Sequence, residues 1–155
     1  MENIRPTFLT VLCVLTFIGS GWGIFNGISS YTNADVAAGL IGEQFERAQD
    51  ELENQEGAEG IGKIFDSVNE AMEPEKIRSS GIASIVSNIL TLVGALLMWG
   101  LRKTGFYVYV IGAIAAIIAP IMIYQGFVGA AAAGATAFFG IIFIVLYFLN
   151  LKHLR

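Results

Sequence analysis

Charged and apolar positions along this chain fall in blocks rather than in alternation. No charged residue lies between Arg5 and Asp35, between Arg78 and Arg102, or between Lys103 and Lys152. A run of about 18 or more apolar residues without charge reads as a membrane span. The last of these gaps is long enough for two spans with a turn between them. The pattern predicts spans over 8–28, 82–101, 106–124 and 131–149. Each is close to the length of helix, about 30 Å, that crosses the hydrocarbon core. Core helices of soluble proteins keep a polar face, and these segments have none. The first apolar run is longer than the roughly 7–15 residues of a signal-peptide core, and 29–34 makes a poor cleavage site. It is therefore expected to stay in place.

The stretch between the first two spans, 29–81, has another rhythm. Val36, Leu40, Ile41, Phe45, Ala48 and Leu52 recur at helical spacing, with Glu43, Glu46, Arg47, Asp50 and Glu53 on other faces. "GAEG" at 57–60 interrupts this, and a second stripe follows at Ile61, Ile64, Phe65, Val68 and Met72, ended by Pro74. Two amphipathic helices are expected here, as a hairpin or lying across the mouth of the spans. The fold class predicted is an all-α integral membrane protein. Its four transmembrane helices form an antiparallel bundle, with a helical extracytoplasmic loop between helices 1 and 2, all in a single membrane domain over 1–155.

Charge adds an orientation. Cytoplasmic segments are enriched in Lys and Arg. Arg5, then Arg102 and Lys103, then Lys152 and Arg155 fall on one side of a four-span chain. The connection at 125–130 has no charge, and 29–81 holds twelve acids against four bases. Both termini are therefore predicted in the cytoplasm and the acidic loop outside. Tryptophan and tyrosine favour the interfaces. Trp22, Tyr31 and Tyr124 are placed near outer ends, and Trp99, Tyr107, Tyr109 and Tyr147 near inner ones. Hydrophobic residues make up 55% of the chain and charged ones 14%, against about 25% charged in ordinary soluble proteins. The compact, acidic, nearly cysteine-free composition points to a bacterial inner membrane.

"GSGWGIFNG" at 19–27 carries four glycines inside an apolar helix, each costing about 1 kcal/mol against alanine. Gly19, Gly23 and Gly27 are spaced by four and share one face, flanked by Thr16, Ser20 and Ser30. In lipid, apolar surface gives no net drive to associate, so helices hold through close backbone approach and modest hydrogen bonds. The glycine face is read as a packing seam; Gly21 lies off it. Ser84, Ser87, Asn88, Thr91, Gly94 and Ala95 form a small polar seam in the second span. Gly112, Ala115, Ala116 and Ala119 form one in the third. In the fourth, 129–137 is almost all Gly or Ala and is expected to pack tightly, with the bulkier part from Phe138 onward meeting lipid or a partner. Asn88 is read as an interhelical hydrogen-bond former. Pro120 removes a helix hydrogen bond in the third span and is expected to kink it.

Catalytic chemistry has little to work with. Cys13 is the one cysteine and His153 the one histidine, so no intramolecular disulfide, CxxC pair or cysteine metal cluster is possible. No Asp, Glu, Lys, Arg or His falls inside a predicted span, although coupled transporters usually carry such groups on their path. "GAEGIGKI" at 57–64 matches G-x-x-x-x-G-K, but Ile64 stands where magnesium-binding Ser or Thr belongs, and no strand precedes it. The acidic faces match no calcium-loop spacing. They are read as solvated surface, and their charge disfavours anionic headgroups. Four spans with a large first outer loop resemble the claudin-like group, whose paired first-loop cysteines are absent here. The small multidrug-efflux proteins also have four spans, but their glutamate in the first span is missing here, and so is their short first loop. The chain is assigned to neither.

The sequence thus predicts no enzyme, no cofactor, no metal, and no nucleic acid or nucleotide. The expected partners are the lipid bilayer and another membrane protein or a second copy of the chain. The expected role is an accessory or scaffold subunit of a membrane complex, or a self-associating membrane protein. The alternative is a channel or carrier for an uncharged small solute, walled by Ser84, Ser87, Asn88 and Thr91.

Overall fold

Helix begins one residue after Pro6, whose ring cannot continue a helix backwards, and α1 then runs over Thr7–Thr32. The computed structural model describes residues 6–53 and 59–154. Arg5 and Arg155, used above for orientation, and the first two residues of the 57–60 break lie outside these residues. α1 continues past the apolar run until Asn33, whose N–H bonds the Ser29 carbonyl at 2.9 Å. α2 follows at once over Ala34–Glu53, and α3 spans Glu59–Ala71. Pro74 does more than end α3: it is the first residue of α4, Pro74–Trp99, where a missing N–H costs nothing.

α4 stops at Gly100, and Leu101 takes a left-handed φ of 61°. That conformation is unfavourable for a side chain by about 1–2 kcal/mol. It is held by Arg102 N–H reaching back to the Leu97 carbonyl at 3.0 Å, a Schellman-type ending. α5 covers Thr104–Ile123 and contains Pro120. The next connection is shorter than 125–130. Only Tyr124 and Gln125 separate α5 from α6, Gly126–Asn150, because Gly126 adopts a φ of +72° that reverses the chain at once. A 3₁₀ turn, Leu151–His153, closes the described chain.

Six α-helices and no strand are found among the described residues. Four of the helical stretches, Thr7–Thr32, Pro74–Trp99, Thr104–Ile123 and Gly126–His153, are long and apolar enough to cross a membrane, which points to an integral membrane protein. Their outward faces are bulky and apolar, with Ile18, Trp22 and Phe25 exposed on α1 and Phe138, Phe139 and Phe148 on α6. Such surfaces suit lipid tails and not water.

Packing follows the small residues on α1, α4 and α5. A Cβ added at Gly27 would lie 2.8 Å from the Gly81 carbonyl, and one at Gly81 would lie 2.7 Å from the Gly27 carbonyl. Gly23 lies under the amide of Asn88, with no room for a Cβ. Ser20 meets Thr91 at 2.9 Å, and Cys13 Sγ points at the Ala95 carbonyl at 3.7 Å. Residue numbers rise along α1 as they fall along α4. The α4–α5 contact repeats the theme: Gly94 abuts Gly105 and the backbone of Tyr109, and Gly112 abuts Leu90 and Thr91.

Large side chains fill one end. Leu9, Leu12, Cys13, Met98, Phe106, Tyr109, Ala113, Tyr147 and Leu154 form the buried cluster. One expectation differs from this. Tyr109 and Tyr147 do not point outward to an interface: their rings sit 4.9 Å apart in the core, and both are nearly inaccessible. In α6 the Gly/Ala stretch buries Gly129 and Ala133 and the bulkier part Tyr147 and Asn150. A Cβ at Gly129 would lie 3.0 Å from the Pro120 carbonyl, whereas Gly134 has no neighbour near its missing Cβ. From Phe138 onward most large side chains, Phe138, Phe139, Ile141, Phe148 and Leu149 among them, face outward.

Outside the spans, Arg78 of α4 holds Asp35 of α2 at 2.6 Å, and Phe45 and Phe65 join α2 to α3 edge to face at 5.4 Å. Ser67 of α3 sits beside Gly126 at the start of α6.

The glycine contacts set a stability prediction. Gly94→Ala meets backbone atoms of Tyr109 and Gly105 at 2.6 and 2.8 Å that cannot swing away, and is expected to destabilise by about 1–3 kcal/mol. Gly21→Ala meets nothing within 4 Å and is expected to gain about 0.5–1 kcal/mol from helix propensity. Unfolding midpoints in detergent would separate the two; equal midpoints would contradict the packing.

Candidate functional site

Asn88 is the most polar side chain deep in the apolar helices, and the candidate site is built around it. Its position follows from Gly23: with no Cβ opposite, α4 comes close enough for the amide to lie flat on the α1 backbone. Asn88 Nδ2 donates to the Ser84 carbonyl at 2.8 Å and to Ser84 Oγ at 3.2 Å. Ser84 Oγ in turn donates to the Gly23 carbonyl at 3.2 Å. One turn further, Thr91 Oγ1 is 3.0 Å from the Asn88 carbonyl and 2.9 Å from Ser20 Oγ. Asn88 is thus not the interhelical hydrogen-bond former expected: its amide bonds stay within α4, because the glycine face of α1 opposite it presents no side chain. The Ser84–Gly23 and Ser20–Thr91 bonds tie α1 to α4, where lipid would satisfy neither.

Two cavities flank Asn88. The first, about 280 Å³, is lined by Ser80, Ala83, Ser84, Ser87 and Asn88 of α4, Ala116, Ala119, Pro120 and Ile123 of α5, then Tyr124 and Thr136. The second, about 250 Å³, lies among Leu15, Thr16, Gly19 and Ser20 of α1, Asn88 and Thr91 of α4, Tyr109, Ala113 and Ala116 of α5, and Thr136, Phe139, Gly140 and Phe143 of α6. Asn88, Ala116 and Thr136 belong to both walls. Each cavity is just under the roughly 300–1,000 Å³ of small-molecule sites. Beside the second cavity α1 and α6 are joined by Thr16 Oγ1 and Tyr147 Oη, 2.7 Å apart.

The seam residues are therefore distributed over two places. Gly23 and Gly27 lie in the α1–α4 contact and Gly112 in the α4–α5 contact. Gly19 has nothing within 4 Å of its missing Cβ and borders the second cavity instead. Ser84, Ser87, Asn88 and Ala116 line the first cavity, and Asn88, Thr91 and Ala116 the second. Pro120 also lines the first, and its nitrogen has no hydrogen to give the Ala116 carbonyl.

No charged side chain or histidine lines either cavity. Among the described residues no three His, Cys, Asp or Glu side chains come together. The site offers neutral hydrogen bonding in an apolar setting, and no general acid, base or nucleophile pair. Reading the sequence missed Tyr109 and Thr136. Tyr109 carried a usable signal: Gly105, Tyr109, Gly112 and Ala116 follow one another at steps of four, three and four, one helix face. Thr136 had none, since it sits alone in a Gly/Ala run.

Comparison with protein-family models, with curated proteins and with solved structures found no match.

Proposed function

We propose that the chain is a non-catalytic four-span membrane protein, an antiparallel bundle that serves as an accessory or scaffold subunit of a larger membrane assembly. One observation carries this reading. The glycines of α1, α4 and α5 and the Ser20–Thr91 and Ser84–Gly23 hydrogen bonds are satisfied inside one chain. What remains outward is a set of broad apolar faces on α1 and α6. A partner would meet Trp22 and Phe25, or Phe138 and Phe148, by shape.

The positive-inside pattern supports cytoplasmic termini and places the acidic α2–α3 segment outside, with a bacterial inner membrane as the setting. On intact cells an impermeant thiol reagent is expected to label Glu56→Cys and spare Lys103→Cys; the reverse would overturn the orientation.

A second reading has its own support. The cavities are walled by Ser84, Ser87, Asn88 and Thr91, as a path for an uncharged solute requires. Two experiments separate the readings. Native mass measurement after gentle-detergent purification at native expression level is expected to show a stoichiometric second protein; a bare monomer would contradict the subunit role. Vesicles holding the purified chain are expected to stay tight to small neutral solutes. A leak abolished by Asn88→Leu would establish the solute path instead.

A further inference from the structure

Most polar groups in the apolar helices are used by the chain itself, those of Ser84, Asn88, Thr91 and Thr136 at the cavities included, but two hydroxyls at the cavities are not. Ser87 is 3% exposed and lines the first cavity, and its hydroxyl has no hydrogen-bond partner among the described residues. Tyr109 is 6% exposed and lines the second, and its phenol is likewise without one. Among the described residues no fully enclosed side-chain nitrogen or oxygen lacks a partner, so these two hydroxyls are ones the cavities reach. An unserved polar group in an apolar interior is costly and calls for an occupant.

The unused groups define the occupant's chemistry. The Ala116 carbonyl, deprived of a donor by Pro120, and Asn88 Oδ1, whose amide nitrogen alone is engaged, are acceptors. The Ser87 and Tyr109 hydroxyls both donate and accept. A hydroxyl serves such a mixed set. A head that only accepts would leave the Ala116 and Asn88 oxygens unserved, and a charged head would find no counter-charge on either wall.

The geometry also gives the direction of entry. The second cavity is bordered by Leu15, 49% exposed, and Phe139, 65% exposed, on the outer surfaces of α1 and α6. The opening between them faces sideways, into the bilayer of a spanning chain. We propose that the crevice among α1, α4, α5 and α6 binds a hydroxyl-headed neutral lipid taken from the membrane. Its head lies at Tyr109, Asn88 and the Ala116 carbonyl, which line the second cavity, and its hydrocarbon chain leaves between Leu15 and Phe139 of the same cavity. This site requires a bilayer around the chain and neither of the roles proposed above.

The test uses the full chain in phosphatidylcholine nanodiscs and a 1-hexadecanol carrying a photoreactive diazirine in its chain, with labelled peptides mapped by mass. Label is expected to concentrate around Leu15, Phe139 and Phe143 and to be displaced by plain 1-hexadecanol. A probe of the same chain with a trimethylammonium head is expected to label there less. Tyr109→Phe is expected to lower specific labelling about five-fold, the factor that one net hydrogen bond is worth. Gly19→Leu places a side chain in the opening at a position with no neighbour within 4 Å, so it is expected to fold and to abolish the specific label. Gly21→Leu, equally uncrowded and outside both cavities, is expected to leave it unchanged. Label spread evenly over the outward faces with either head, or unaffected by Gly19→Leu, would overturn the proposal. Displacement by glycerol as effective as by hexadecanol would overturn the lipid assignment in favour of a water-soluble solute.

Discussion

Backbone meets backbone where α1 crosses α4, and the rest of the structure depends on that approach. At Gly27 and Gly81 neither helix has space for a single added carbon. Between apolar helices in lipid, burying more hydrocarbon gives nothing, because the tails are equally apolar; only fit and hydrogen bonding separate the packed from the dispersed state. The glycines lower the distance, and the lower distance brings Ser20 to Thr91 and Ser84 to the Gly23 carbonyl. A second approach of the same kind, Gly94 against Gly105 and Tyr109, adds α5 to the layer.

α6 adds rings to this. Tyr147 packs on Tyr109 and Phe148 lies near Phe106, Thr16 and Tyr147 join it to α1, and at the other end Gly129 comes close to the Pro120 carbonyl. Between these contacts the cavities remain, and they hold polar groups outside the α1–α4 seam: Ser84 and Asn88 are engaged while Ser87, beside Asn88 in the chain, is not.

What could be read without the structure divides along physical lines. Charge-free runs the length of a bilayer need no tertiary information, so the four long helices were legible. So were the two amphipathic stripes that became α2 and α3. A spacing of four marks a helix face, so Gly23 and Gly27 were recognisable as a pair. It does not say how far along that face the neighbour extends, and Gly19 falls beyond the contact. Tyr109 and Tyr147 were read by their depth along a span, but depth and face are independent coordinates, and both turn inward. In the Gly/Ala run of α6 small residues permit close approach along the whole face, but it happens only where a neighbour lies opposite, at Gly129 against the Pro120 carbonyl and not at Gly134. Of the site, the α4 wall was legible from its polar stripe. Thr136 was not, because a lone threonine in an apolar helix carries no pattern.

These seams close within one chain. Paired cysteines at Ser20→Cys and Thr91→Cys, on a Cys13→Ala background, test this most directly, since the native oxygens lie 2.9 Å apart. Mild oxidation in membranes is expected to yield a disulfide inside a single chain that migrates as a monomer on a denaturing gel. Cross-linked dimers, or no reaction at all, would show that α1 meets something other than its own α4.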